Sequence, residues 1–297
     1  MSDSISVILP NYNGHYLLEK NIPSLLEAIE GFEHEIIVID DCSSDNSVHF
    51  LKQTYPSIKV IQNKTNLGFS ATCNKGIHAA ELTLLCIVNT DVTFTADYFT
   101  NMIREFDEES LFAVKGDIVN YDKSFEDIIN IDKTGLLYYK RGFLRIDTKV
   151  PLTTKTLIKK GKDKNLVCLG CCFVCDRKMM LQLKGFDEIY SPFYWEDTDL
   201  ARRAMKLGFN LLYLPKSIVF HQASSTISNY RSNTLRRLVS NRNKFLFTWH
   251  HLNASKFWFS HIPITAFNLL SRWIILDWKY YAAFFWALTR KLTFYKQ

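Results

Sequence analysis

Glycine and proline are scarce in this 297-residue chain, 11 and 7 respectively, which excludes collagen-like and low-complexity architectures. Charged residues at 22% and hydrophobic ones at 47% exclude a disordered chain. The opening MSDSISVILP has no basic segment followed by an apolar stretch, so no secretory signal is expected. Seven cysteines without such a signal suggest reduced thiols in a cytoplasmic setting. No G-x-G-x-x-G follows the first apolar run, where the turn reads Pro10-Asn11-Tyr12-Asn13-Gly14; a dinucleotide site of that type is excluded. Long apolar runs are also missing. Phe257–Ser271 lacks Lys, Arg, Asp and Glu, but it is fifteen residues long and holds His261 and Pro263. Tyr280–Thr289 is shorter, and a spanning helix needs about 20 apolar residues.

The length suits one large domain or two small ones. The net charge of +6 is unevenly spread: residues 231–297 carry eleven Lys/Arg against one acid, Asp277. The same stretch holds five of the six tryptophans. Basic residues interleaved with aromatic ones suit a lipid surface better than a nucleic acid.

Residues 1–90 alternate strand-like and helix-like segments. Ile5–Leu9, Glu35–Ile39, Val60-Ile61 and Leu84–Val88 are β-branched apolar runs. Between them lie helical patterns through Leu17, Leu18, Ile22, Leu25, Leu26 and Ile29, through Val48, Phe50 and Leu51, and within Gly68–Ala80. This order predicts an α/β fold with a mainly parallel sheet covered on both faces. Ligands of such sheets bind outside the carboxyl ends of the strands. There the sequence places Asn11 and Asn13, Asp40 and Asp41, and Asn89 and Asp91. Any one of them could be a simple turn former. Three clusters on one edge indicate a site.

The stretches VILPNYNG (7–14), IVIDDCSSD (37–45), NLGFSATCNKGI (66–77), VNTDV (88–92) and GFDEIYSPFYWEDTDLARRAMKLGF (185–209) resemble the family 2 glycosyltransferases of the GT-A fold. They fall in that family's order, and the likeness is nearest to rhamnosyltransferase-like members. The resemblance implies a sheet-and-helix GT-A domain with a C-terminal helical, aromatic and basic extension. It divides into a nucleotide-sugar-binding half (1–117), an acceptor half (118–230) and a membrane-associating tail (231–297). It further implies inverting transfer from a nucleotide-sugar to an acceptor hydroxyl in surface polysaccharide synthesis.

By that resemblance Pro10, Asn11, Tyr12, Asn13, Asp40, Asp41, Asn74, Asn89 and Asp91 bind a UDP- or dTDP-sugar, one aspartate accepting from the pyrimidine N–H. Asn89-Thr90-Asp91 stands where the family has an Asp-x-Asp metal motif, so Asp91 is the main carboxylate ligand of Mn²⁺ or Mg²⁺. His221 is expected to complete that shell, although a His after a strand also serves as hydrogen-bonded structure. Asp91 could alternatively cap a helix running from Thr95 towards Phe106. Phe193–Asp197 opens a helix with Leu200, Ala204 and Leu207 on its apolar face and Gly208 at its end. Inversion needs a base for the acceptor proton; Asp197 fills that role, with Glu196 beside it. Trp195 either stacks on the acceptor sugar or is core.

Cys168, Cys171, Cys172 and Cys175 mimic a zinc cluster, but they lie in one apolar run and read as a buried strand. Acceptor choice is expected in the polar segment 120–165. The rival readings are a nucleotidyltransferase, which would want a glycine-rich phosphate loop, and an inactive carbohydrate- or nucleotide-binding subunit. The expected partners are the nucleotide-sugar, a glycan or lipid-linked glycan and the inner face of the cytoplasmic membrane. Nucleic acid is not expected, and oligomerisation is left open.

Overall fold

The computed structural model describes residues 4–121, 128–132, 134–147, 152, 154–159, 166–167, 169–222 and 232–294. The first half runs β1 (Ser4–Asn11), α1 (His15–Ala28), β2 (Glu33–Asp40), α2 (Ser47–Thr54), β3 (Lys59–Gln62), α3 (Phe69–Ala79) and β4 (Leu84–Val88). Strand β1 pairs in parallel with both β2 and β4, and β2 in parallel with β3. Side chains alternate across a strand, so both faces of β1 need cover. Ile5, Val7 and Leu9 pack with Leu18, Ile22 and Leu25 of α1, while Ile8 packs with Cys73 and Ile77 of α3. That double burial is why the strands read as unbroken apolar runs. Gly76 lets α3 lie close to the sheet: a Cβ there would stand 2.5 Å from Ile39 and 2.6 Å from Ile8.

The second half adds β5 (Val92–Phe94), α4 (Tyr98–Ile103), β6 (Leu111–Tyr121), β7 (Ile128–Asp132), β8 (Gly135–Lys140), β9 (Phe143–Asp147), β10 (Thr156–Ile158), β11 (Leu166–Val167), β12 (Cys172–Asp176), α5 (Arg177–Gln182), α6 (Glu196–Leu207) and β13 (Asn210–Gln222). The main sheet is ordered β10-β13-β6-β12-β4-β1-β2-β3. Here parallel pairing gives way to mixed pairing: β12 is antiparallel to β4 and β6, whereas β13 is parallel to β6. Cys172 and Cys175 lie buried on β12, with Cys171 just before it; Cys168 lies outside the described residues.

Two sequence expectations need correction. The helix after Asp91 begins later than Thr95, at Tyr98, with Asp97 at its N-cap. Leu207 is exposed although it lies seven residues beyond Leu200 on the same stripe: the buried residues of α6 include Leu200, Ala201, Ala204 and Met205, and Leu207 is the last residue before the Gly208 cap.

The C-terminal part also departs from a detached tail. α7 (Asn233–His251) and α9 (Trp278–Phe294) join the body through a third core. In it Phe245, Leu246 and Phe247 meet Phe143 and Leu144 of β9, Tyr190, and Ala283 and Ala287 of α9. Between these helices, a π-helical turn at Phe257–His261 and α8 (Ile262–Ser271) form a protruding segment. It exposes Trp258, Phe259, Phe267, Leu270 and Trp273, with Phe259 84% accessible. Among the described residues, no helix is long and apolar enough to cross a membrane.

Candidate active site

The loops after β1 and β2 are knitted together at their carboxyl ends. Asn11 Nδ2 donates to Asp40 Oδ2 at 2.9 Å, and Asp40 Oδ1 accepts from the Ser43 N–H at 3.0 Å. The Asn13 N–H donates to Ser43 Oγ, while its side chain accepts from the Ser44 N–H at 2.7 Å. Asn13 and Cys42 hold φ of 50° and 65°, the left-handed region where Asn is tolerated. Asp41 instead anchors the next loop, accepting from Asn63 Nδ2, the Leu67 N–H and the Gly68 N–H. A carboxylate offers about four acceptor positions, and this loop takes three of those on Asp41. Asp40 therefore has the greater capacity left for a ligand N–H. Pro10 and Tyr12 are half-buried on the same edge.

Asp91 follows β4 and is 5% exposed. Strand β13, paired with β5, brings His221 alongside it, with Nε2 at 3.3 Å from Asp91 Oδ1. The other ring nitrogen, Nδ1, lies 2.6 Å from Asn120 Oδ1 on β6. Asn120 Nδ2 donates to Asn130 Oδ1, which fixes the amide's orientation. Its oxygen can only accept, so Nδ1 carries a hydrogen and Nε2 is the nitrogen turned towards Asp91. This is the arrangement of a metal-binding imidazole whose far N–H is held by an outer acceptor. A carboxylate, an imidazole and the oxygens of a bound diphosphate make a donor set that fits Mn²⁺ or Mg²⁺. Neighbouring Asn89 is tied by its N–H to the Cys171 carbonyl.

The start of α6 is held by elements distant in sequence. Tyr194 and Trp195 both adopt positive φ, 75° and 79°, and Ser191–Pro192 is a cis peptide. From α7, Asn243 Nδ2 approaches the carbonyls of Tyr190, Phe193 and Tyr194 at 2.7–2.9 Å. Buried Arg242 donates to the carbonyls of Tyr190 and Ser191 and stacks 4.4 Å from the Trp286 ring. Burial lowers its pKa to about 10. Asp199 of α6 accepts from Tyr190 Oη, Arg203 Nε and His251 Nε2. None of these holding residues stood out in the sequence; only folding of α7 onto the loop reveals them.

Two expected ligand residues also make internal contacts. Asn74 clamps the 186–188 segment, donating to the Phe186 carbonyl and Glu188 Oε1 and accepting from the Phe186 N–H. The half-buried Trp195 indole lies 5.0 Å from the Phe247 ring of α7, with Nε1 3.4 Å from Ser240 Oγ.

Glu196 and Asp197 begin α6 with unlike surroundings. Burial, helped by Asp197, raises the Glu196 pKa to about 8. The thiol of Cys73 on α3, raised first by burial, also feels Glu196 and Asp41. Asp197 is also raised, first by burial; Asp132 adds to the rise, while the Thr198 N–H and Lys115 oppose it. Lys115 is a buried lysine that sequence reading missed, paired with Asp132 Oδ1 at 3.2 Å.

The Glu196 carboxyl gives a prediction. Its folded pKa lies above its ordinary 4.5, so its contribution to stability is full below that value. That contribution is lost as the pH rises towards about 8. Glu196→Gln should therefore melt at a temperature that gains on the native chain across this window, by several degrees at its upper end. Thermal melts in a pH series check it; a constant offset between the two chains would refute the buried, protonated carboxyl.

A family model, that of glycosyl transferase family 2, matches residues 6–183. The chain belongs to that family. This glycosyltransferase is 25% identical to protein MT1568 of Mycobacterium tuberculosis over 82% of its own length and 75% of the relative's. It is 22% identical to an N-acetylglucosaminyl-diphospho-decaprenol L-rhamnosyltransferase of the same species, over 76% and 78% of the two chains. In fold it matches a crystal structure of GalNAc-T7 with UDP, GalNAc and Mn²⁺, with a TM-score of 0.63 at 15% identity. That match covers 89% of the glycosyltransferase and 51% of GalNAc-T7.

Proposed function

We propose that the chain is an inverting, non-processive, metal-dependent glycosyltransferase. It would move a sugar from a UDP- or dTDP-sugar to a hydroxyl of a surface-polysaccharide acceptor at the inner face of the cytoplasmic membrane. The observation that carries this reading is the placement of the Lys115–Asp132 pair. Cys171, beside the Asp91 carboxylate, and Asp197 of α6 both feel Lys115 and Asp132. The motif after β4 and the start of α6 therefore lie within reach of the same ion pair, which supports reading them as one site. The GalNAc-T7 structure holds UDP and Mn²⁺ on the same fold, and a rhamnosyltransferase is among the relatives.

On this reading Asp40 and Asn11 receive the base, and Asp91 and His221 would hold the metal. Bound there, Mn²⁺ or Mg²⁺ neutralises the charge that develops on the departing nucleotide diphosphate. Asp197 removes the proton from the acceptor hydroxyl as its oxygen bonds to the anomeric carbon and the carbon–phosphate-oxygen bond breaks on the opposite side. The exposed aromatic segment from Phe257 to Trp278, flanked by Lys256 and Lys279, lies against lipid, placing the site at the surface where a polyprenyl-linked acceptor would be found. A thermal-shift series with UDP-, dTDP- and GDP-sugars, with and without Mn²⁺, is the test. Pyrimidine donors should raise the melting temperature only with the metal. Stabilisation by the purine donor alone, or by none, would overturn the donor assignment.

Lys115 and Asp132 act on Asp197 with opposite signs. The acid limb of the pH–rate profile should therefore shift up in Lys115→Met and down in Asp132→Asn. Shifts of the same sign in both variants would remove the pair from the control of the base.

A further inference from the structure

A cavity of about 280 Å³ lies between α6, β8, β9 and the end of α7, outside the site described above. Its polar lining is Tyr138, Tyr139, Arg202, His251, Asn253 and Lys256, with leucines completing the wall. Among the described residues no carboxylate lines it. The nearest acid, Asp199, stands behind His251 and is already engaged by Arg203 and by His251 Nε2 at 2.7 Å. The His251 side chain is only 3% exposed, and its Nδ1 is buried with no hydrogen-bond partner. Since Nε2 donates to Asp199, Nδ1 is an acceptor waiting for a hydroxyl. The Lys256 ammonium lies 5.4 Å from the centre of the Tyr139 ring, whose hydroxyl donates to Ser260 Oγ at 2.7 Å. That contact joins the cavity wall to the turn exposing Trp258 (63%) and Phe259 (84%).

We propose that this cavity seats the headgroup of an anionic membrane lipid of the glycerophosphate type, while Trp258 and Phe259 enter the interface beside it. The chemistry of the lining matches that ligand. The planar Arg202 fork and the Lys256 point charge attract a phosphate, and His251 Nδ1 accepts a glycerol hydroxyl. The tyrosine faces cover the short carbon backbone of the headgroup. A wholly apolar occupant would not match the polar lining, and a soluble phosphate ester would leave Trp258 and Phe259 without purpose. Aromatic side chains flanked by cations are suited to the headgroup boundary. The headgroup would fix the orientation of the protein on the bilayer, because α6 carries Asp197 at its start and Arg202 on its second turn, where it lines the cavity. This inference rests on the membrane reading above.

The experiment uses the full chain in co-sedimentation with phosphatidylcholine vesicles, with and without phosphatidylglycerol, alongside NMR titration of His251 with soluble glycerol phosphate. Phosphatidylglycerol should strengthen vesicle binding, and glycerol phosphate should shift the His251 ring signals and compete with the vesicles. Arg202→Gln and Lys256→Gln should each weaken the phosphatidylglycerol-dependent binding roughly five-fold, the equivalent of about 1 kcal/mol per cation. Lys279→Gln, which removes the same charge away from the cavity, should change it less. Equal losses from Lys279→Gln and the cavity variants would mean diffuse attraction and overturn the site. Unmoved His251 signals would overturn it too, without any variant having to fold. If glycerol phosphate binds but no vesicle does, the membrane reading fails and the cavity belongs to a soluble phosphate ester. Trp258→Ser with Phe259→Ser should weaken binding to both vesicle types, which tests the membrane reading separately from the headgroup.

Discussion

Asp197→Asn is expected to lower sugar transfer by about 10²-fold or more while leaving donor affinity unchanged, the range for loss of a general base. Asparagine keeps the shape of the side chain and its place beside Thr198, but it cannot take a proton. Burial and Asp132 raise its pKa above that of an ordinary aspartate, while the Thr198 N–H and Lys115 oppose the rise. Transfer rates at saturating donor, with nucleotide affinity measured by calorimetry, separate the two effects. Near-normal turnover would remove Asp197 from the role of base. Loss of donor affinity with turnover intact would assign it to binding instead.

The second large effect is expected at Asp91. Asp91→Ala should abolish the metal dependence of nucleotide diphosphate binding, because His221 alone gives a single protein donor. Asn120→Ala should act more mildly, releasing the His221 ring and lowering metal affinity by roughly 10–100-fold, the range for an outer partner of a ligating imidazole. Calorimetry of UDP or dTDP binding in Mn²⁺ and in EDTA reads both variants. Equal affinity under the two conditions for the native chain would rule out a metal at Asp91 and His221.

The parts of this fold that depend on local pattern were legible in the sequence. Strands β1, β2 and β4 are buried on both faces, so their β-branched runs are continuous, and Asn11, Asp40 and Asp91 stand where each run stops. The pairing of Asp91 with His221 was also legible, through resemblance, although it depends on β13 returning beside β5. What escaped were pairings made by distant segments. Lys115 reads as an interruption in an apolar strand, and its meaning appears only when β7 lays Asp132 against it. The sequence leaves Trp195 open between a sugar platform and core, because nothing in Phe193–Asp197 announces the two successive positive φ angles there. Arg242 counted as part of a basic lipid-seeking tail, whereas its guanidinium is buried against loop carbonyls. Composition reports how much charge a segment holds, not which way each charge faces.

The grip of Arg242 and Asn243 on the loop before α6 bears on how such proteins can be recombined. A chimera joined ahead of residue 233 would replace the acceptor-side loop's support along with the surface-seeking segment, leaving a native α6 hung from foreign side chains. A junction after His251 would exchange only the turn, α8 and α9, although α9 also carries Trp286, against which Arg242 is stacked. The interchangeable unit is therefore narrower than the basic stretch in the sequence suggests: it runs from Asn253 to the residues just before α9. That span can be exchanged while the start of α6 keeps the side chains that grip it.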